Sequence, residues 1–132
     1  MLTAVDSSVL FDVLSADRQF LESSERALRA AARHGALILC PVVWSEIRAH
    51  FGSRAQMERE MAAAGIGFDP LDQARADLAG ELWSVYRRAG GPRERLIGDF
   101  LIGAHAQLRC GRLLSRDRGF YRRYFTQLEV LH

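Results

Sequence analysis

Leu2-Thr3-Ala4-Val5-Asp6-Ser7-Ser8 is the stretch on which the fold turns. A short apolar run is closed abruptly by a carboxylate and two hydroxyls, side chains that bond the free N–H groups at a helix start. The stretch therefore reads as a buried strand running straight into a helix. Working outward, the same alternation recurs. Residues 17–34 carry Phe20, Leu21, Ala27, Leu28 and Ala31 at helical spacing and meet a stop at Gly35. Residues 36–40 predict a second buried strand, and Pro41 opens a helix expected to run through Phe51.

Ser53 is expected to cap a helix carrying Met57 and Met61, followed by a strand over 66–68. Asp72 starts a long helix to about Arg88, and Ala89-Gly90-Gly91-Pro92 breaks it. Asp99 begins or enters a helix to Arg109, ended by Gly111, and strands are expected over 112–115 and 128–131. On the helix of Asp99, spacing puts Ile97, Phe100/Leu101, Ala104 and Leu108 on the packed stripe. Gly103, one turn from Asp99, leaves room for a bound water or a phosphate. Strands alternating with helices imply right-handed crossovers and a parallel sheet covered on both faces. The expected fold is a three-layer α/β/α domain with a sheet of four to five strands.

A chain of 132 residues is long enough for one domain with its own core. Its 48% apolar and 26% charged residues are ordinary for a soluble globular protein. No apolar run approaches a membrane span, and no basic leader precedes Asp6, so a cytoplasmic location without membrane contact is the expectation. Cys40 and Cys110 have no zinc-type spacing and read as two thiols rather than a bridge. All 18 basic residues are arginine, which excludes lysine Schiff-base and P-loop chemistry. Between Arg109 and Arg123 six arginines face the single acid Asp117, interleaved with Phe120, Tyr121 and Tyr124. That pattern is compatible with phosphate contact, and for any one of these arginines a solvated surface charge is the competing reading.

Four acids stand where acids are awkward. Asp6 ends the first strand; Glu46 lies within Pro41-Val42-Val43-Trp44-Ser45-Glu46-Ile47; Asp99 is set in Leu96-Ile97-Gly98-Asp99-Phe100; Asp117 follows Leu113-Leu114-Ser115-Arg116. Carboxylates beside a core cost free energy unless a cation or donors meet them. Parallel sheets open their ligand crevice beyond the carboxyl ends of the strands, and all four acids fall on strand ends or following helices. Gathered there, they call for a divalent cation. Magnesium, or manganese, suits oxygen ligands and would support phosphodiester hydrolysis, with Ser8 and Ser115 bonding the carboxylates or metal waters.

Each acid also has a plainer account: Asp6 as a helix cap, Asp99 as a first-turn helix acid, Asp117 as a turn residue, Glu46 as a surface charge. The four histidines read as surface or helix-end residues, with His105 near enough to Asp99 to watch, and Trp44 and Trp83 as core or interface anchors. No nucleophilic triad is arguable around Ser7-Ser8. A dehalogenase-type phosphatase would want an aspartate where Ser8 stands. Exposed apolar residues around Trp44, Phe51 and Met57 are candidates for a partner face.

The ordered set Val5-Asp6-Ser7-Ser8-Val9-Leu10, Pro41 to Glu46, Asp99-Phe100-Leu101-Ile102-Gly103-Ala104-His105-Ala106 and Leu114-Ser115-Arg116-Asp117-Arg118-Gly119-Phe120 resembles the PIN-domain family, most of all its VapC-type toxins. The resemblance spans essentially the whole chain. It implies an α/β/α domain with strand order 3-2-1-4-5 and Mg²⁺- or Mn²⁺-dependent endoribonuclease activity, commonly on tRNA or rRNA. It also implies a cognate VapB-type antitoxin and a homodimer. By motif, Asp6, Glu46, Asp99 and Asp117 match the acidic positions, with Asp6, Asp99 and Asp117 as metal ligands. Ser8 and Ser115 match the small polar residues beside them. Arg93, Arg95, Arg116 and Arg118 are the candidate RNA contacts. Many relatives carry a further acid where this chain has Gly119, which leaves a second metal position less expected than the first. The competing readings are a catalytically weak RNA-binding or protein-interaction module and a DNA nuclease.

Overall fold

Five strands of three residues each, all parallel, form one sheet in the order β3-β2-β1-β4-β5. The computed structural model describes residues 1–92 and 95–132. The strands are β1 (Thr3–Val5), β2 (Leu37–Leu39), β3 (Ile66–Phe68), β4 (Arg112–Leu114) and β5 (Glu129–Leu131). Thr3, Ala4 and Val5, like Leu37, Ile38 and Leu39, are buried throughout, as strands covered on both faces must be. Edge strand β3 instead exposes Gly67 and Phe68. Helices α1 (Ser7–Leu14), α2 (Leu21–Arg33), α3 (Pro41–Ile47), α4 (Arg54–Ala63), α5 (Gln73–Arg88), α6 (Ile97–Arg109) and α7 (Arg118–Tyr124) make the outer layers. Strand order reverses between β1 and β4, which pair Ala4 with Leu113 and Val5 with Leu114. Asp6 and Asp117 leave these two strands on the same side.

Two helix boundaries and one whole helix differ from the sequence reading, each for a local reason. The helix expected from residue 17 starts at Leu21, because Asp17 spends its carboxylate on the N–H groups of Gln19 and Phe20, both at 2.9 Å. The helix opened by Pro41 ends at Ile47 and tightens into a 3-10 turn over Arg48–His50, where the Arg48 guanidinium donates to the Phe51 carbonyl. Helix α7 was not expected; the arginine-rich stretch hides an apolar face of Phe120, Tyr121 and Phe125. At Gly111, φ is +74°, the left-handed turn that sends α6 back into β4.

The core that carries α6 is aromatic. Phe100, fully buried, has ring centroids of Tyr86, Phe120, Tyr124 and Phe125 within 5.1–6.4 Å. The expected stripe on this helix shifts accordingly. Phe100 and Ala104 are buried, but Ile97 and Leu108 are exposed, and Ile102, His105 and Ala106 are buried instead. A helix wedged between α5 and the sheet buries a broad face rather than a narrow stripe. Gly103 is also corrected. A Cβ there would lie 2.3 Å from the Phe125 ring, so the missing side chain admits that ring and leaves no space for water or phosphate. Gly103→Ala is therefore expected to cost about 1–3 kcal/mol by overpacking, read as a lower midpoint of denaturant unfolding.

Candidate metal centre

Asp6 is the hub. It caps α1 from an extended backbone and is 5% exposed. Its carboxylate accepts from the Ser7 N–H at 2.9 Å, the Ser8 hydroxyl at 3.0 Å, the Ser115 hydroxyl at 2.7 Å and the Tyr121 hydroxyl at 3.4 Å. Burial nevertheless holds its pKa above the ordinary aspartate value, against the three short donors, and the charge of Asp99 adds to the rise. Ser115 also accepts from the Asp117 N–H at 2.9 Å, so one hydroxyl orders both the first and the last acid.

Asp99 stands in the first turn of α6, where it accepts from the Leu96 N–H at 3.2 Å. Burial raises its pKa too; the Leu96 bond and Arg95 oppose the rise, and Asp117 adds to it. Glu46, on α3, is the most open of the set. Its pKa is raised by the partial desolvation of its carboxylate, against a Ser7 hydroxyl bond, with Asp6 and Asp99 as further causes. Each of these acids feels at least one of the others. The structure thus brings all four candidates to one edge of the sheet.

The sign of these shifts sets a pH dependence. An acid whose pKa is raised in the fold binds more protons folded than unfolded, so its contribution to stability falls as pH rises from the ordinary value through the raised one. Asp99→Asn keeps an acceptor for the Leu96 N–H and deletes the charge. It is expected to raise the melting temperature in EDTA at neutral pH, a gain that vanishes below the ordinary aspartate pKa and reverses in sign once a divalent ion is added.

All the donors are carboxylate oxygens, the chemistry that suits a hard divalent cation. Among the described residues, no three carboxylate, imidazole or thiolate groups are yet drawn close enough to enclose one. The Asp117 carboxylate is already engaged by the Arg95 guanidinium, which also lies 4.3 Å over the Phe120 ring. By chemistry the carboxylates suit the ion, and Asp6, Asp99 and Asp117 are the candidates to hold it.

The other arginine candidates separate. Arg116 donates to Asp12 through Nε at 2.6 Å and Nη2 at 2.9 Å, stacks 3.9 Å over Phe20, and gives its backbone N–H to Ser8 at 3.3 Å. Asp12 is buried and also accepts from Ser24 at 2.6 Å. Arg116 is thereby committed to pinning the β4–α7 turn against α1. Asp12→Ala is expected to cost about 2 kcal/mol, below the range for a fully buried pair because Arg116 keeps water contact, measurable by urea unfolding. Arg118 opens α7, exposed. Arg93 lies outside the described residues.

Sequence reasoning missed Tyr121, Asp12 and Asp69. Tyr121 stands one helical turn after Asp117, a spacing visible only once α7 is recognised. Asp12 stands one turn after Ser8 on the same face of α1. His105 is not a surface residue: it is 1% exposed and bonds Asp69 at 2.7 Å, with Arg109 on the other Asp69 oxygen at 3.2 Å. Burial lowers its pKa, against Asp69. Phe51 and Met57 are core residues as well, so the exposed apolar surface there reduces to Trp44 edge-on to Phe68, with centroids 5.5 Å apart. Cys40 is buried, Cys110 half-buried, and both are free thiols.

Residues 3–126 match the family model described as PIN domain. A comparison with curated protein sequences finds no significant match. Among solved structures, VapBC2 from Rickettsia felis bound to a promoter DNA fragment is similar, with a TM-score of 0.72 at 15% identity over 98% of this chain and 97% of that one. A toxin–antitoxin complex from Klebsiella pneumoniae gives 0.70 at 21% identity over 98% and 96%. FitAcB from Neisseria gonorrhoeae gives 0.66 at 18% identity over 100% and 97%. These likenesses are of fold.

Proposed function

The chain belongs to the PIN domain family, and on that premise we propose that it is a metal-dependent endoribonuclease, the toxin of a toxin–antitoxin pair. The observation that carries the reading is the convergence of Asp6, Glu46, Asp99 and Asp117 at the sheet edge where strand order reverses, with Asp6, Glu46 and Asp99 each raised in pKa first by burial and further by at least one other acid of the four. A fold keeps charge in so unfavourable a place when a cation or a reaction uses it.

In this reading Asp6, Asp99 and Asp117 hold Mg²⁺ or Mn²⁺, which when bound supplies water activation and neutralises charge on the phosphate. Ser115 and Ser8 fix the Asp6 carboxylate. Glu46, the most open acid, takes a proton from an incoming water in this scheme. Arg118, and Arg95 when not engaged by Asp117, meet phosphate oxygens of the RNA, tRNA or rRNA being the expected class. The neighbours from R. felis and K. pneumoniae are toxin–antitoxin complexes, which supports a VapB-type antitoxin as partner; a homodimer is the expected assembly. Among the described residues no helix is long and apolar enough to cross a membrane.

The test is to incubate the antitoxin-free protein with total cellular RNA, and separately with single-stranded DNA, in Mg²⁺, Mn²⁺ or EDTA and to map new ends. Discrete cuts in RNA that need the metal are expected. Cuts confined to DNA would make it a deoxyribonuclease, and folded protein that binds RNA without cutting would make it a binding module.

A further inference from the structure

One arginine beside the acidic centre is held in place rather than free in solvent. Arg95 lies in the segment that leads into α6, and its guanidinium is held twice, by the Asp117 carboxylate and by the face of Phe120. Arg95 and Asp117 are only part-exposed, at 31% and 35% of their side chains, and Phe120 is buried. A planar cation clamped between a carboxylate and an aromatic ring has a defined resting place rather than a surface charge's freedom. The same cation sits close enough to Asp99 to bear on its charge. It therefore pairs with one acid of the proposed metal centre, Asp117, and lies near a second, Asp99.

We infer that Arg95 is a built-in counter-cation of this pocket, which holds Asp117 off a divalent ion and must be displaced before the ion is fully enclosed. The inference rests on reading Asp6, Asp99 and Asp117 as a cation site. Two cations cannot share the Asp117 carboxylate without repulsion, so every ion that takes Asp117 does so against the Arg95 pair and the Phe120 stacking. The consequence is a site whose apparent metal affinity is set below what its carboxylates alone would give.

The experiment is calorimetric titration of Mn²⁺ and Mg²⁺ into metal-stripped wild type, Arg95→Gln and Asp99→Asn, each checked by circular dichroism and thermal melting. Arg95→Gln is expected to bind metal about two- to fivefold more tightly, the scale of a part-exposed ion pair, and the difference should shrink as salt is raised. Arg95→Lys, which keeps the charge and loses the planar stacking, should fall between the two. Equal or weaker binding by folded Arg95→Gln overturns the inference, since it would make Arg95 indifferent to the ion or a support for Asp117. Binding in Asp99→Asn that equals wild type overturns the underlying metal-site reading itself.

Discussion

Asp6→Asn is expected to slow RNA cleavage by about 10³-fold while the protein remains folded, the size of effect when several kcal/mol of transition-state charge stabilisation are lost. Asparagine is nearly the same shape and keeps one oxygen for the Ser7 N–H, so the cap on α1 survives. It cannot keep both carboxylate oxygens. Asp6 Oδ2 accepts from Ser8 and Ser115, and the two hydroxyls would have to turn away from an amide N–H₂. The negative charge at the centre of the pocket is lost as well. Single-turnover rates in saturating metal, with melting curves as control, measure the effect. A folded variant within a few-fold of wild type would remove Asp6 from the chemistry.

Phe100→Ala is expected to produce the largest loss of stability, about 3–5 kcal/mol, seen as a melting temperature lower by roughly 10 °C or more. Phe100 is fully buried among four other rings contributed by α5, α7 and the turn after it. Its removal leaves a cavity those rings cannot close without moving. Since Phe100 follows Asp99 and its neighbour Phe120 follows Asp117 by three residues, the same change would loosen both acids. Cleavage should fall even well below the melting temperature. A loss under 1 kcal/mol would mean the aromatic cluster repacks freely.

The sequence exposed the parts of this protein that have a one-dimensional signature. Buried strands between helix signals, Pro41 at a helix start and Gly111 at a helix end are local events, and they gave the alternation from which a parallel sheet follows. The acids were legible because carboxylates inside apolar runs are anomalous wherever they occur. Other features depend on partners far along the chain. Arg116 meets Asp12 across more than a hundred positions, and His105 meets Asp69 across 36. Neither pairing leaves a trace in spacing. Gly103 was misread for the same reason: whether a missing side chain admits water or an aromatic ring depends on Phe125, which no helical pattern connects to it. Arg95 reads from sequence as a candidate RNA contact, and its pairing with Asp117 and Phe120 likewise depends on residues distant in the chain.

The most direct measurement of the central idea, that these acids form a cation site, is Mn²⁺ binding followed by electron paramagnetic resonance on metal-stripped wild type, Asp6→Asn and Asp99→Asn. The free-ion signal should fall on adding wild type and persist with both variants at the same concentration, with Mg²⁺ restoring it in competition. Equal loss of signal with all three folded proteins would place the metal elsewhere and contradict the account.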